Sequence, residues 1–167
     1  MMAPDANPVT IRLASDDDLP AINAIIEVCV MGWDLPERVK RLSLDSYRYH
    51  AQDLDHLTVY VATSVTGEVV GVAALERADK KDLPANQTGL LLHGIYVMPG
   101  WQRSGVGKQL LAHAFDAACE QGVDGLLVKA QADANSYFAS QGFSPLPVVD
   151  PGRDYPHRWW RAVTPGC

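Results

Sequence analysis

The residues Gln102-Arg103-Ser104-Gly105-Val106-Gly107-Lys108 bring together two glycines, two cations and the start of an amphipathic repeat. Glycines at a turn let a backbone approach a ligand closely. The first N–H groups of a helix lack intrahelical partners and carry partial positive charge, so a helix opening here would hold a phosphate or pyrophosphate. Arg103 and Lys108 add formal charge beside it. Better-known phosphate loops fit worse. Gln102 stands where a Walker loop needs its first glycine, and Gln109 where it needs Ser or Thr. Leu110 occupies the third glycine of a dinucleotide fingerprint. The plain alternative is a tight turn before a surface helix. A long apolar strand ahead of Pro99 and an amphipathic helix behind Gly107 favour anion binding over it.

Those flanking elements must place the loop. Leu90 to Met98 reads as a strand apolar enough to be central and buried on both faces. Val106, Leu110, Leu111, Ala114, Phe115 and Ala118 recur at helical spacing up to Gly122. Upstream, Val9–Leu13 alternates as a strand, and Ser15 with Asp16-Asp17-Asp18 opens a helix to about Met31. A second helix is expected from Asp34 to about His50. Strands at 57–63 and 69–75 flank a Thr66-Gly67 hairpin turn. Residues 77–88 read as a loop. A short strand at 126–129, a short helix from about Asp133 to Gln141, and strands at 143–149 and 157–163 complete the chain. Mixed strands and helices without strict alternation indicate an α/β or α+β sheet.

The 167 residues suit one domain, with 1–8 as a flexible tail and 9–167 as the folded part. A net charge of −6 argues against nucleic-acid binding, which needs a basic face. No apolar run approaches the roughly 20 residues of a membrane helix, and the first residues do not resemble a signal peptide. The chain is expected to be cytoplasmic, with no membrane partner. Cys29, Cys119 and Cys167 are odd in number and far apart, giving neither a disulfide framework nor a zinc spacing. Cys29 and Cys119 read as small buried hydrophobes. No metal is expected.

Val97-x-Pro99 followed by Gln102-Arg-Ser-Gly-Val-Gly107 resembles the acyl-CoA signature of the GNAT superfamily of N-acetyltransferases. Ala134-x-x-Tyr137-Phe138-x-x-x-Gly142-Phe143 resembles that family's second marker, and the order of elements agrees over nearly the whole chain. The resemblance implies a mixed, mostly antiparallel central sheet with helices on both faces, and acetyl-CoA as acyl donor. It implies that Val97 offers main-chain hydrogen bonds to pantetheine, and that a backbone N–H at or next to Val97 faces the thioester oxygen. Gln102, Arg103, Ser104, Gly105, Val106, Gly107 and Lys108 would cradle the pyrophosphate.

The reaction so implied is N-acetylation of a primary amine, on a small molecule or peptide, by direct attack in a ternary complex. Its alternative is a non-catalytic acyl-CoA-binding or regulatory domain of the same fold. The family's usual sulfur-protonating tyrosine is replaced by Phe138, expected at the cofactor, so the acid role falls to the adjacent Tyr137. Strand 90–98 lacks the family's common carboxylate, which leaves His93 as candidate base, with Glu76 behind it. His93, Ile95 and Val97 share one face by the two-residue period. Residues 33–49 and 153–160 are rich in aromatic and charged side chains, suited to the amine acceptor or to the edge of a homodimer.

Overall fold

The computed structural model describes residues 8–131, 134–164 and 167. The tail expected over 1–8 lies outside them except for Pro8, and so does Asp133, the expected start of the short helix. In chain order the elements are β1 (Val9–Leu13), α1 (Leu19–Met31), α2 (Glu37–Tyr47), α3 (Asp53–His56), β2 (Thr58–Ser64), β3 (Val69–Arg77), β4 (Gly89–Val97), α4 (Val106–Glu120), β5 (Gly125–Lys129), α5 (Asn135–Ser140), β6 (Ser144–Pro145) and β7 (Arg158–Ala162). The strands lie in the order β1-β2-β3-β4-β5-β7-β6, which puts β4 in the middle. β4 and β5 run parallel, whereas β1/β2, β5/β7 and β6/β7 are antiparallel. This is the mixed, mostly antiparallel sheet that the family resemblance implies. Contacts cluster into two compact units. One runs to Ala74 and includes Gly94–Leu111; the other holds Leu75–His93 and Ala112–Cys167.

In the first unit, the entry to α1 is set by charge. Arg12 donates to both oxygens of Asp18, at 2.7 and 2.9 Å. The Ser15 N–H and hydroxyl donate to Asp18 as well. A short 3₁₀ turn over Asp16–Asp18 then leads into α1, whose Ile22, Ile26 and Val30 are buried at the helical spacing that the sequence predicts. α2 stops at Tyr47, short of the expected His50. Arg48 is extended, and Asn23 clamps the Tyr49 backbone, donating to its carbonyl at 2.8 Å and accepting from its N–H at 2.9 Å. The single turn α3 follows, which the sequence reading lacks. Gly67 makes the expected hairpin turn with φ +86°. At Gly71 on β3 an added Cβ would meet Val106 at 2.9 Å and Leu110 at 3.1 Å, so the first turn of α4 rests directly on the strand.

In the second unit, β4 pairs with β5 from Gly89↔Gly125 to Leu92↔Val128. The glycine pair makes room for the Trp160 ring, which a Cβ at Gly89 would meet at 2.8 Å and one at Gly125 at 2.5 Å. Phe143 packs between Phe138, edge to face at 5.5 Å between centroids, and Phe115, tilted at 5.8 Å. The strand expected at 143–149 shrinks to Ser144–Pro145. Pro145 and Pro147 carry no N–H for a longer ladder, and only Leu146 adds a bond, to the Arg158 carbonyl at 2.9 Å. β4 also departs from expectation. Most of Gly89–Leu92 is buried, but His93 is exposed and 94–97 are half-buried.

The cysteine reading is corrected. Cys119 forms a disulfide with Cys167, their Cα atoms 5.9 Å apart across 48 residues of sequence. β7 runs antiparallel to β5, and the Val163 N–H bonds the Asp124 carbonyl at 2.8 Å. That return carries the chain back toward the end of α4. Residue spacing alone could not show it.

Candidate functional site

The loop between β4 and α4 is built by short-range bonds. The Trp101 N–H bonds the Met98 carbonyl at 2.8 Å, and the Gln102 N–H bonds the Pro99 carbonyl at 3.3 Å, closing a 3₁₀ turn over Pro99–Trp101. The Ser104 hydroxyl donates to the Trp101 carbonyl. Arg103 and Gly105 both take left-handed backbone, φ +64° and +88°. For Gly105 that conformation is natural; for Arg103 it costs about 1–2 kcal/mol. The loop thus holds local strain at the residue that carries its charge.

The turn delivers the chain into α4, where the Gln109 N–H bonds the Gly105 carbonyl at 3.0 Å. The N–H groups of Val106, Gly107 and Lys108 precede the first complete helical bond and face the loop. A Cβ built on Gly105 meets no atom within 4 Å, so open space lies over this helix end. Arg103 and Lys108 are exposed at its rim. The arrangement suits a phosphate-bearing group by backbone, charge and space alike.

Val97 sits just ahead. Its carbonyl accepts from the Gln102 side-chain amide at 3.1 Å and from the Cys29 thiol at 3.4 Å. Gln102 therefore turns back onto the strand. The Met98 N–H is engaged by the Val70 carbonyl at 2.9 Å. Alternation along a strand then aims the N–H of Val97 away from β3. Cys29, read from sequence as a core hydrophobe, is half-buried beside this peptide, and burial pushes its thiol pKa up. Its bond to Val97 joins residues 68 apart in sequence, a proximity that spacing alone does not reveal.

The second unit carries the other candidates. Phe138 is 3% exposed and belongs to the core, whereas Tyr137 is 38% exposed. Partial burial pushes the Tyr137 phenol up, so it holds its proton at neutral pH. His93 is exposed on β4. Much of 153–160 is engaged inside the unit. Arg158 is buried and donates to the carbonyls of Asp82 at 2.9 Å and Pro147 at 3.0 Å. The Trp159 indole donates to Asn135 at 2.9 Å, and the Tyr155 hydroxyl to the Ala130 carbonyl at 2.7 Å. With Trp160 seated on its glycine pair, these residues are framework first. Asn135 is a tie that sequence reading missed; its amide also lies 3.2 Å from Nδ1 of His157.

Among the described residues no cluster of three metal-ligating side chains occurs, and no helix is long and apolar enough to cross a membrane. The family model for the acetyltransferase (GNAT) domain matches residues 55–145, more than half of the chain. The chain belongs to the GNAT family of acetyltransferases. The match contains both the β4–α4 loop and α5. A search of curated proteins returns no match. Solved GNAT structures share the fold. The PaiA N-acetyltransferase from Thermoplasma acidophilum, in complex with coenzyme A, aligns with a TM-score of 0.70 at 15% identity, over 93% of this chain and 99% of its own. A GNAT-family acetyltransferase from Brucella melitensis, in complex with acetyl-CoA, gives 0.65 at 18% identity, over 95% and 90%. AtaT complexed with acetyl-methionyl-tRNAfMet gives 0.60 at 21% identity, over 93% and 95%.

Proposed function

We propose that this enzyme transfers an acetyl group from acetyl-CoA to a primary amine by direct attack. The observation that carries the reading is the β4–α4 loop: a left-handed Gly105 under open space, at the start of a helix rimmed by Arg103 and Lys108. In this role the N–H groups of α4's first turn and the two cations hold the pyrophosphate. Gln102 exchanges its bond to Val97 for one to the coenzyme. The Val97 N–H, directed away from β3, donates to the thioester oxygen, where a fixed dipole meets the developing negative charge without reorganisation.

The amine must first lose a proton, since an alkylammonium has no lone pair to attack with. His93 takes that role through water. The nitrogen then bonds to the acetyl carbon, the carbonyl π pair moves to oxygen, the new ammonium centre gives its proton to water, and collapse of the oxyanion breaks the C–S bond. The departing thiolate takes the phenol proton of Tyr137, which is restored from solvent. Holding the two reactants together removes most of the entropic barrier.

Phe138 in the core, where the family often places its acid, supports the non-catalytic acyl-CoA-binding reading instead. Release of free thiol from acetyl-CoA with an amine panel separates the two. The net charge of −6 gives tRNA, named in the AtaT complex, no support as acceptor here. Gly105→Val places a β-branched side chain over the loop at a backbone angle it resists. Calorimetry is expected to show CoA affinity reduced by roughly tenfold or more. Wild-type affinity in that variant would reject the loop assignment.

A further inference from the structure

We propose that the acceptor is a primary amine carried on an aromatic or planar apolar body, held among Trp33, Tyr47 and Tyr96; the assignment rests on the acetyl-transfer reading above. All three side chains are half-buried and pack against the core of the first unit. The Trp33 and Tyr47 rings meet edge to face, with centroids 5.2 Å apart. Tyr96 immediately precedes Val97, the residue assigned to the thioester. Its ring folds back along β4, where a Cβ on Gly94 would meet it at 2.7 Å and the Tyr49 hydroxyl at 3.0 Å. A side chain at 94 would displace the Tyr96 ring.

The polar tips of these rings are what ask for a ligand. Half-buried indole and phenol groups ordinarily find a hydrogen-bond partner. Among the described residues, Trp33, Tyr47 and Tyr96 make no side-chain hydrogen bond. Among the described residues, the buried side-chain polar atom without a partner lies elsewhere, at Nε of Arg158. The three tips carry two hydroxyls and an N–H that a bound molecule can meet.

The cluster is also electrically neutral. Burial, with smaller contributions from Tyr47 and Cys29, pushes the Tyr96 phenol far up, and the Cys29 thiol is pushed up as well. Neither ionises near neutral pH. Two nearby cations are engaged locally: Lys40 on α2 donates to the Met31 carbonyl at 2.7 Å, and Arg48, just after α2, pairs with Asp45 at 2.8 Å. A polyamine would find no carboxylate in the cluster for its second ammonium. An amino acid would find no guanidinium there for its carboxylate. A flat apolar amine gains ring contact, and its ammonium gains the negative face of the rings. Partly dry surroundings also favour the neutral amine, the form that attacks.

The test uses the full chain with saturating acetyl-CoA and follows thiol release with phenethylamine, tyramine, spermidine and glycinamide. Phenethylamine and tyramine are expected to exceed the other two in kcat/KM by roughly tenfold or more. Calorimetry of phenethylamine into the CoA-loaded protein is expected to show binding that weakens roughly tenfold in Trp33→Leu. Tyr47→Phe, which keeps the ring, guards against a folding defect and is expected to weaken binding severalfold. CoA affinity stays at the wild-type value in both variants. A preference for spermidine or glycinamide, or phenethylamine binding indifferent to both substitutions, overturns the proposal. If no amine releases thiol, the phenethylamine titration still decides the aromatic site. A protein that does not bind acetyl-CoA refutes the loop reading separately.

Discussion

The candidate residues of the two units differ in how their polar groups are engaged. In the second, several polar side chains are tied within the unit, although Nε of Arg158 stays buried without a partner among the described residues. Trp159 bonds Asn135, Tyr155 bonds Ala130, Lys129 bonds Asp82 at 2.8 Å, and Arg158 bonds two carbonyls. In the first, the loop at Gly105 leaves open space over the start of a helix, with Arg103 and Lys108 exposed beside it. A framework gains by satisfying itself, because a buried unpaired polar group costs about 1–3 kcal/mol. A binding surface must leave capacity for its ligand. Substitutions in the second unit should therefore act on stability, and substitutions at the loop of the first on affinity.

The sharpest challenge to that division is Tyr137, which lies in the second unit yet is assigned to chemistry. Tyr137→Phe keeps the ring and removes only the hydroxyl. It is expected to lower kcat by on the order of 10²–10⁴ with acetyl-CoA affinity unchanged. An unaltered kcat and pH profile would return Tyr137 to packing and make the division complete.

Phe143 tests the framework half. It is 4% exposed and packs between Phe138 and Phe115. Phe143→Ala is expected to cost about 3–5 kcal/mol in chemical denaturation. A midpoint equal to wild type would show that these ring contacts do not hold the unit together.

Asp18 sits in the first unit but acts on stability. Arg12's hydrogen bonds hold its carboxyl down at about 2, against an ordinary 3.8. A lowered folded-state pKa gives stability that is complete above pH 3.8 and lost as pH falls through about 2. Because Arg12 is 44% exposed, solvent screening trims the contribution to about 1 kcal/mol. Asp18→Asn should lower stability by that amount at pH 7 and approach wild type only below pH 2. A deficit that persists in acid would assign the effect to packing.

Arg103→Ala gives the smallest effect. Its guanidinium is exposed, so losing it should weaken CoA by about 1 kcal/mol in calorimetry, roughly fivefold. Arg103→Gly removes the same charge and relieves the left-handed strain, so its thermal midpoint should exceed that of Arg103→Ala. Equal midpoints would deny that the strain is stored there.

The cofactor loop was legible in sequence because its chemistry is local. Gly105, Arg103, Lys108 and the apolar repeat of α4 lie within one short stretch, and helix ends bind anions through backbone that any such stretch supplies. The sheet was legible for a similar reason: alternation and turn glycines are short-range signals. What escaped is long-range. Nothing in the spacing places Cys29 against Val97, Asn23 on the Tyr49 backbone, or Trp160 over Gly89 and Gly125. The lost strand after Phe143 was a local misreading, since Pro145 and Pro147 already deny the ladder its donors.

The Cys119–Cys167 bond turns the last third of the chain into a covalent ring that contains β5, α5, β6 and β7. A protease that nicks the exposed turn at 150–153 cuts this ring once and releases nothing. The nicked protein should migrate as an intact chain on a gel without reductant and as two fragments with it. Segments that flank the cut stay joined through sulfur, so cleavage in this region is invisible unless the gel is reducing.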